Sequence, residues 1–180
     1  MKKLLVVFIF LCGFYSQSQE KKNVPLKNTQ KGFFAVDYLS VDMPTTDLGF
    51  NEIHMGLMGI HYNLAFDKFY TGLGMYGSVR GIRGGFFTLG VNAGFKNYLT
   101  DKVFIDTGIH FGGGGGAGAP DGGGAFILPH VNLGIQFKNF SFTTGYSYIN
   151  FFDKGALENQ QLRLGLQIPI NFSSANIENS

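Results

Sequence analysis

The chain is short of cysteine, of net charge and of long apolar runs. Its single cysteine, Cys12, falls within the first 18 residues. That segment has a basic start at Lys2 and Lys3, an apolar run from Leu4 to Phe14, and small residues Ser16 and Ser18 spaced as a signal peptidase prefers. Cys12 lacks the small residues that precede a lipoprotein cysteine, so no lipid anchor is expected, and cleavage near Gln19 leaves a mature chain without a thiol. Disulfides, cysteine metal sites and cysteine catalysis are thereby excluded. Of 14 Lys and Arg against 12 Asp and Glu, Lys2 and Lys3 leave with the signal, and the balanced remainder gives no footprint for nucleic acid. After the signal no apolar run approaches the roughly 20 residues of a membrane helix. No segment holds a helical period either, so any crossing of a membrane falls to strands.

What the chain does have is alternation. From Gln160 to Phe172, Leu162, Leu164, Leu166, Ile168, Ile170 and Phe172 are apolar, while Gln161, Arg163, Gly165, Gln167, Pro169 and Asn171 are polar or small. A strand with one apolar face reads this way. A strand needs only about 9 to 11 residues to cross a bilayer obliquely. Seven more such segments precede it, giving candidate strands over 32–42, 52–64, 70–82, 86–98, 103–114, 124–137, 140–151 and 159–172. Residues 19–30 read as a flexible polar leader with no core face, residues 31–172 as one barrel domain, and residues 173–180 as a tail.

The connections fall into two alternating sets. Ala65 to Phe69, Leu99 to Lys102 and Lys138 to Asn139 are short and carry the Asp, Asn and Lys of tight hairpins; these are expected at the periplasmic end. Those near Met43 to Asn51, Arg83 to Gly85, Gly115 to Gly123 and Asp153 to Glu158 include the longer ones, expected outside. Every mid-strand charge that can be placed, at Asp37, Lys96, Asp106 and Arg163, falls on the polar face. A Lys or Arg facing lipid at the bilayer midplane costs roughly 2 to 4 kcal/mol, so this partition suits a membrane barrel with a narrow polar lumen. A soluble secreted barrel binding a hydrophobic ligand is the alternative with the same alternation, but its exterior of Gly, Ser, Thr, Asn and Gln would be poor in charge. Aromatics at strand ends (Phe33, Phe34, Phe66, Phe69, Tyr70, Tyr98, Phe104, Phe137, Phe140 and Phe172) suggest an interfacial girdle. Pro129 and Pro169 sit inside proposed strands, where each implies a bulge or a strand end.

Candidate chemistry gathers on the inner face. The segment Gly112 to Gly124 lacks the Gly-Lys-Ser/Thr ending of a phosphate loop and reads as a hairpin. If it is symmetric about Pro120, Gly113 and Gly114 face Ile127 and Phe126, with small residues opposite large ones; bare backbone there could also admit a lipid chain or a partner's side chain. The same symmetry sets His110 opposite His130, with Asp106 nearby. Two imidazoles and a carboxylate can bind a transition metal, or one His can act as a general base for Thr143 or Ser147. The simpler reading, which we favour, is a lumenal hydrogen-bond network of Asp37, Lys96, Asp106, His110, His130, Asn132, Gln136, Arg163 and Gln167, with no cofactor and no metal. In it, Arg163 on the last strand can meet Asp37 on the first. His54 and His61, seven residues apart, face opposite sides unless a bulge intervenes. Arg80 and Arg83 could reach lipopolysaccharide phosphates.

In pattern the mature chain resembles the small eight-stranded outer-membrane barrels of the OmpA and OmpX type. Gly165, Ile168, Ile170 and Phe172 resemble the closing-strand signal read by the barrel assembly machinery. The resemblance implies an all-β, antiparallel up-and-down transmembrane barrel in a Gram-negative outer membrane. Its expected partners are outer-membrane lipid and lipopolysaccharide, with the assembly machinery during biogenesis. Lipid A deacylases and palmitoyltransferases use similar barrels, which keeps a lipid-modifying hydrolase using His110 or His130 as an alternative. The deacylase His-x-Ser pattern is absent, and each histidine here leads instead into His54-Met55-Gly56, His61-Tyr62-Asn63, His110-Phe111-Gly112 or His130-Val131-Asn132.

Overall fold

A computed structural model describes residues 26–42, 54–81, 84–116, 119, 124–152 and 158–175, with side chains from 29 to 172. The proposed signal, most of the leader, Arg83, Pro120, the end of the tail and much of the longer connections lie outside the described residues. Eight strands follow one another: β1 (Leu26–Asp42), β2 (His54–Phe66), β3 (Phe69–Arg80), β4 (Phe87–Tyr98), β5 (Val103–Gly115), β6 (Phe126–Gln136), β7 (Ser141–Phe151) and β8 (Glu158–Ala175). Each pairs antiparallel with the next, and β1 and β8 complete a closed barrel. Its compact unit is Gln30–Phe172.

β1 begins within the segment expected to be a leader, and β8 runs past residue 172. Strand geometry belongs to the backbone and needs no apolar face, so alternation alone underestimates both ends. Three tight turns cluster at one end of the barrel, called here the turn end. Asp67 and Lys68 join the paired Phe66 and Phe69, with Asp67 at φ 57, a left-handed conformation that Asp tolerates better than most residues. Thr100 Oγ1 accepts from the backbone N–H of Lys102 and Val103, at 3.3 and 3.0 Å, closing the second turn. Phe137 to Phe140 form the third, two residues longer than expected.

Residues at alternate positions line the lumen or the outer wall. The fourth strand shows the expected partition: Leu89 and Val91 are exposed outward while Thr88 and Asn92 are buried inward. Both prolines stay inside their strands. Pro169 lies beyond the last β7 partner, Ser141↔Gln167, so its missing N–H faces no β7 neighbour. At Pro129 the β6–β7 pairing itself skips two residues.

The inner face departs from expectation in two ways. Toward the other end, the loop end, the lumen is apolar: Leu39, Val41, Met55, Leu57, Phe126 and Phe151 are among the residues of a buried cluster. Val36 and Tyr38 face outward beside inward Asp37, whereas Ser40 faces outward between inward Leu39 and Val41, so the polarity of the two faces of β1 reverses along the strand. Secondly, Phe33, Tyr70 and Phe104, expected in a girdle, are buried inside, whereas Phe66, Phe69, Tyr98, Phe137, Phe140 and Phe172 are exposed. Adjacent residues of a strand must face opposite sides, so the pairs Phe33–Phe34 and Phe69–Tyr70 could not both belong to one belt.

Candidate functional site

Between the apolar layer and the turn end, the lumen holds two neighbouring polar clusters, and residues of both line one small cavity. The first is built on Asp37 of β1. Arg163 Nη2 of β8 donates to Asp37 Oδ2 at 2.5 Å, the contact expected from sequence. His61 Nε2 lies 2.8 Å from the same oxygen, and Tyr76 OH donates to it at 3.4 Å. Asn92 of β4 sets the tautomers. Its amide nitrogen donates to His61 Nδ1 at 3.2 Å and to Asn63 Oδ1 at 3.1 Å, so His61 carries its proton on Nε2, toward Asp37. Its amide oxygen is 2.7 Å from His110 Nδ1, which must therefore donate. The edges of His61 and Tyr76 pack on His110, with ring centroids 5.7 and 5.1 Å away.

The second cluster is built on Asp106 of β5. Tyr70 OH donates to Oδ1 and Gln167 Nε2 to Oδ2, both at 2.8 Å. His130 Nε2 lies 3.3 Å from the Tyr70 hydroxyl and 3.7 Å from Asp106 Oδ1. Lys96 Nζ donates to Gln167 Oε1 at 2.6 Å and sits over the Phe33 ring, 3.9 Å from its centroid. The half-buried ammonium thus has a π-face as well as a hydrogen-bond acceptor. Below it a vestibule of about 300 Å³ opens at the turn end, with Lys31, Lys68, Gln136 and Ser141 on its walls.

His110 does not face His130. Their hairpin pairs His110 with Leu128, and His130 with Gly108, two residues away from the symmetry about Pro120; Gly112, not Gly114, faces Phe126. A shift of two preserves the face of every residue. Both imidazoles therefore remain inside, but in different clusters. Among the described residues, no group of three or more His, Cys, Asp or Glu is placed to hold a metal ion.

The hydrolase candidates fare similarly. Ser147 is the cross-strand neighbour of His130, yet its hydroxyl takes a hydrogen bond from Gln161 Nε2 at 3.2 Å, and among the described residues neither Ser147 nor Thr143 bonds a histidine. Asn132 is buried inward opposite Asp106, and Gln136 turns to the rim, accepting from Ser141 at 2.7 Å. His54 and His61 do face opposite sides, and His54 meets Asp42 at the loop end, 2.5 Å away. Sequence reasoning missed His61, Asn63, Tyr70, Tyr76 and Asn92. Their signal was parity: each lies an even number of residues from another inward side chain of its own strand.

A closed eight-stranded up-and-down barrel with buried ion pairs in its lumen and an apolar outer wall has the fold of the small outer-membrane barrels. Two solved structures align with the chain, the first of them over the 0.5 TM-score mark. Neisserial surface protein A (NspA) aligns with a TM-score of 0.51 at 10% identity, over 78% of this chain and 96% of that one. The Yersinia pestis outer membrane protein Ail, in a phospholipid bilayer nanodisc, aligns with a TM-score of 0.45 at 13% identity, over 77% and 99%. No family model and no curated protein matches the sequence.

Proposed function

We propose that this chain is an integral outer-membrane β-barrel protein with a structural or envelope-interaction role, its lumen closed to general diffusion. The outer wall carries the proposal. Leu73, Val91, Val131, Leu133, Leu162 and Leu164 are all more than 45% exposed, an apolar surface far larger than a soluble monomer leaves bare. Among the described residues of the barrel, Asp, Glu, Lys and Arg side chains either turn inward or sit at strand ends and turns. Lipid is the solvent that such a surface fits. The tight turns then belong in the periplasm and Arg80 at the outer rim, within reach of lipopolysaccharide phosphates. Closure is supported by the stacked layers of the lumen, the Phe126 and Phe151 cluster above and the Asp37–Arg163 bridge beneath it.

Carbonate extraction of a Gram-negative envelope tests the membrane reading: the protein should stay in the pellet, and release into the supernatant would sink it. Planar bilayers test closure, where no steady channels are expected and large ones would refute it. For the hydrolase reading, replacing His110 and His130 by Ala should leave lipid A composition unchanged; a lost modification would reinstate an enzyme.

A further inference from the structure

We infer that the outer wall between β6 and β7 holds a lipid site, a groove at Pro129 that seats one acyl chain of a bilayer lipid. The inference rests on the membrane reading above. Three observations converge on this place.

The ladder opens there. From Phe126↔Phe151 and Ile127↔Asn150 to His130↔Ser147 the register is constant, yet Leu128 and Pro129 take no partner on β7 although Ile149 and Tyr148 lie opposite them. On its other edge Pro129 remains paired with Ile109 of β5. Proline brings no N–H to a ladder, and here the break is confined to one seam.

A groove of about 290 Å³ occupies the break. Pro129, Val131 and Tyr146 form its apolar walls, with His130 and Ser147 at its floor, their side chains turned to the lumen. Its volume is near the small end of ligand pockets, roughly 300 Å³, which fits a single chain and not a whole lipid.

The groove is polar at one end only. Tyr148 and Gln160 border it toward the loop end, where Tyr148 OH donates to Glu158 Oε2 at 2.5 Å and accepts from Asn150 Nδ2 at 3.3 Å. An apolar trough with hydroxyl and amide groups at its rim matches a lipid's own profile, acyl chain below and ester or amide linkage above. The occupant we assign is therefore an acyl chain of a lipid in the outer leaflet. The bilayer supplies it, since the groove is continuous with the apolar wall that faces hydrocarbon.

The full protein in nanodiscs of phosphatidylcholine carrying an acyl-chain diazirine provides the test. After illumination, adducts mapped by mass spectrometry should concentrate on Val131, Tyr146 and Tyr148, several-fold above Leu73 and Val91 on another part of the wall. Pro129→Val, which restores the N–H, and Val131→Trp, which fills the groove without touching the ladder, should each bring that excess down to the Leu73 level. Even labelling of all outward positions overturns the groove and leaves the membrane reading intact. Labelling below the Leu73 level, as a second copy seated on the seam would give, also overturns it. Absence of adducts anywhere on the wall removes the membrane reading and the groove together.

Discussion

At the scale of single residues, the barrel depends on buried charges that cannot be separated singly. Asp37 and Arg163 are 3% and 8% exposed, and each is the other's ionic partner. Removing one partner of such a pair strands a charge in a dry site at a cost of about 3–5 kcal/mol, whereas removing both is much milder. Arg163→Met should therefore destabilise the folded protein by about 3–5 kcal/mol, and Asp37→Asn combined with it should cost clearly less than the two single changes added together. Urea unfolding from lipid vesicles, run as a double-mutant cycle, reads the coupling; strict additivity would mean that the two side chains do not stabilise each other. A second residue-scale constraint is space. Gly94 leaves room for the Tyr70 ring, Gly108 for the Tyr70 hydroxyl and the His130 ring, and Gly134 for the Phe104 ring; a Cβ at Gly94 would overlap the Tyr70 ring. Gly94→Ala should then cost about 1–3 kcal/mol, as overpacking does, and Tyr70→Phe should not relieve it because the ring stays. An unchanged urea midpoint for Gly94→Ala would contradict this packing.

At the scale of elements, each strand has an address for its charges. Leu133 is 49% exposed on the outer face of β6, while its neighbour Asn132 is buried in the lumen. Leu133→Arg should destabilise by about 2–4 kcal/mol if the residue lies near the bilayer midplane, while Leu99→Arg, in the exposed turn after β4, should change stability by no more than about 0.5 kcal/mol. Equal effects at the two positions would mean that the wall is not facing hydrocarbon. This address system is why so much of the fold could be read in advance. Strands such as β4 and β8 alternate without interruption, and a period of two is itself the partition between wall and lumen. The Arg163–Asp37 contact was legible for the same reason, since both residues share the inner face of strands that close the barrel. Legibility failed where polarity and direction part company. In the upper half of β1, Leu39 and Val41 point inward and Ser40 outward, so the sign of hydrophobicity is the reverse of that on the rest of the wall. It failed again at the hairpin of β5 and β6, whose pairing depends on loop geometry that glycines leave unspecified; the error of two residues kept both histidines inside but exchanged their partners. Asn92 could not be recognised as the amide that orients His61 and His110, because three strands of register must be known before those side chains meet.

At the scale of the whole molecule, the lumen is layered along the barrel axis. An apolar layer occupies the loop end, the Asp37 and Asp106 clusters lie across the middle, and the vestibule near Lys96 opens at the turn end. The layers answer to different chemistry: side-chain volume fills the first, and charge-assisted bonds fill the second, between the neighbouring strands β1 and β8 at Asp37–Arg163 and across the lumen from Gln167 of β8 to Asp106 of β5. The closure proposed above is then redundant, and opening one layer should not make a pore. Phe126→Ala with Phe151→Ala enlarges the upper layer and should cost about 3–5 kcal/mol for each ring removed, yet the Asp37 and Asp106 clusters still fill the lumen beneath it. The double variant should therefore unfold at lower urea while its conductance in planar bilayers stays at the background of the parent. Adding Arg163→Ser and Asp37→Ser removes the bridge beneath, and only this quadruple variant, refolded and verified by its heat-modifiable migration, should pass small ions. If the two phenylalanine changes alone give steady channels, the polar clusters do not close the lumen; if the quadruple variant is folded and still silent, a further barrier must lie among Tyr70, Gln167 and Lys96.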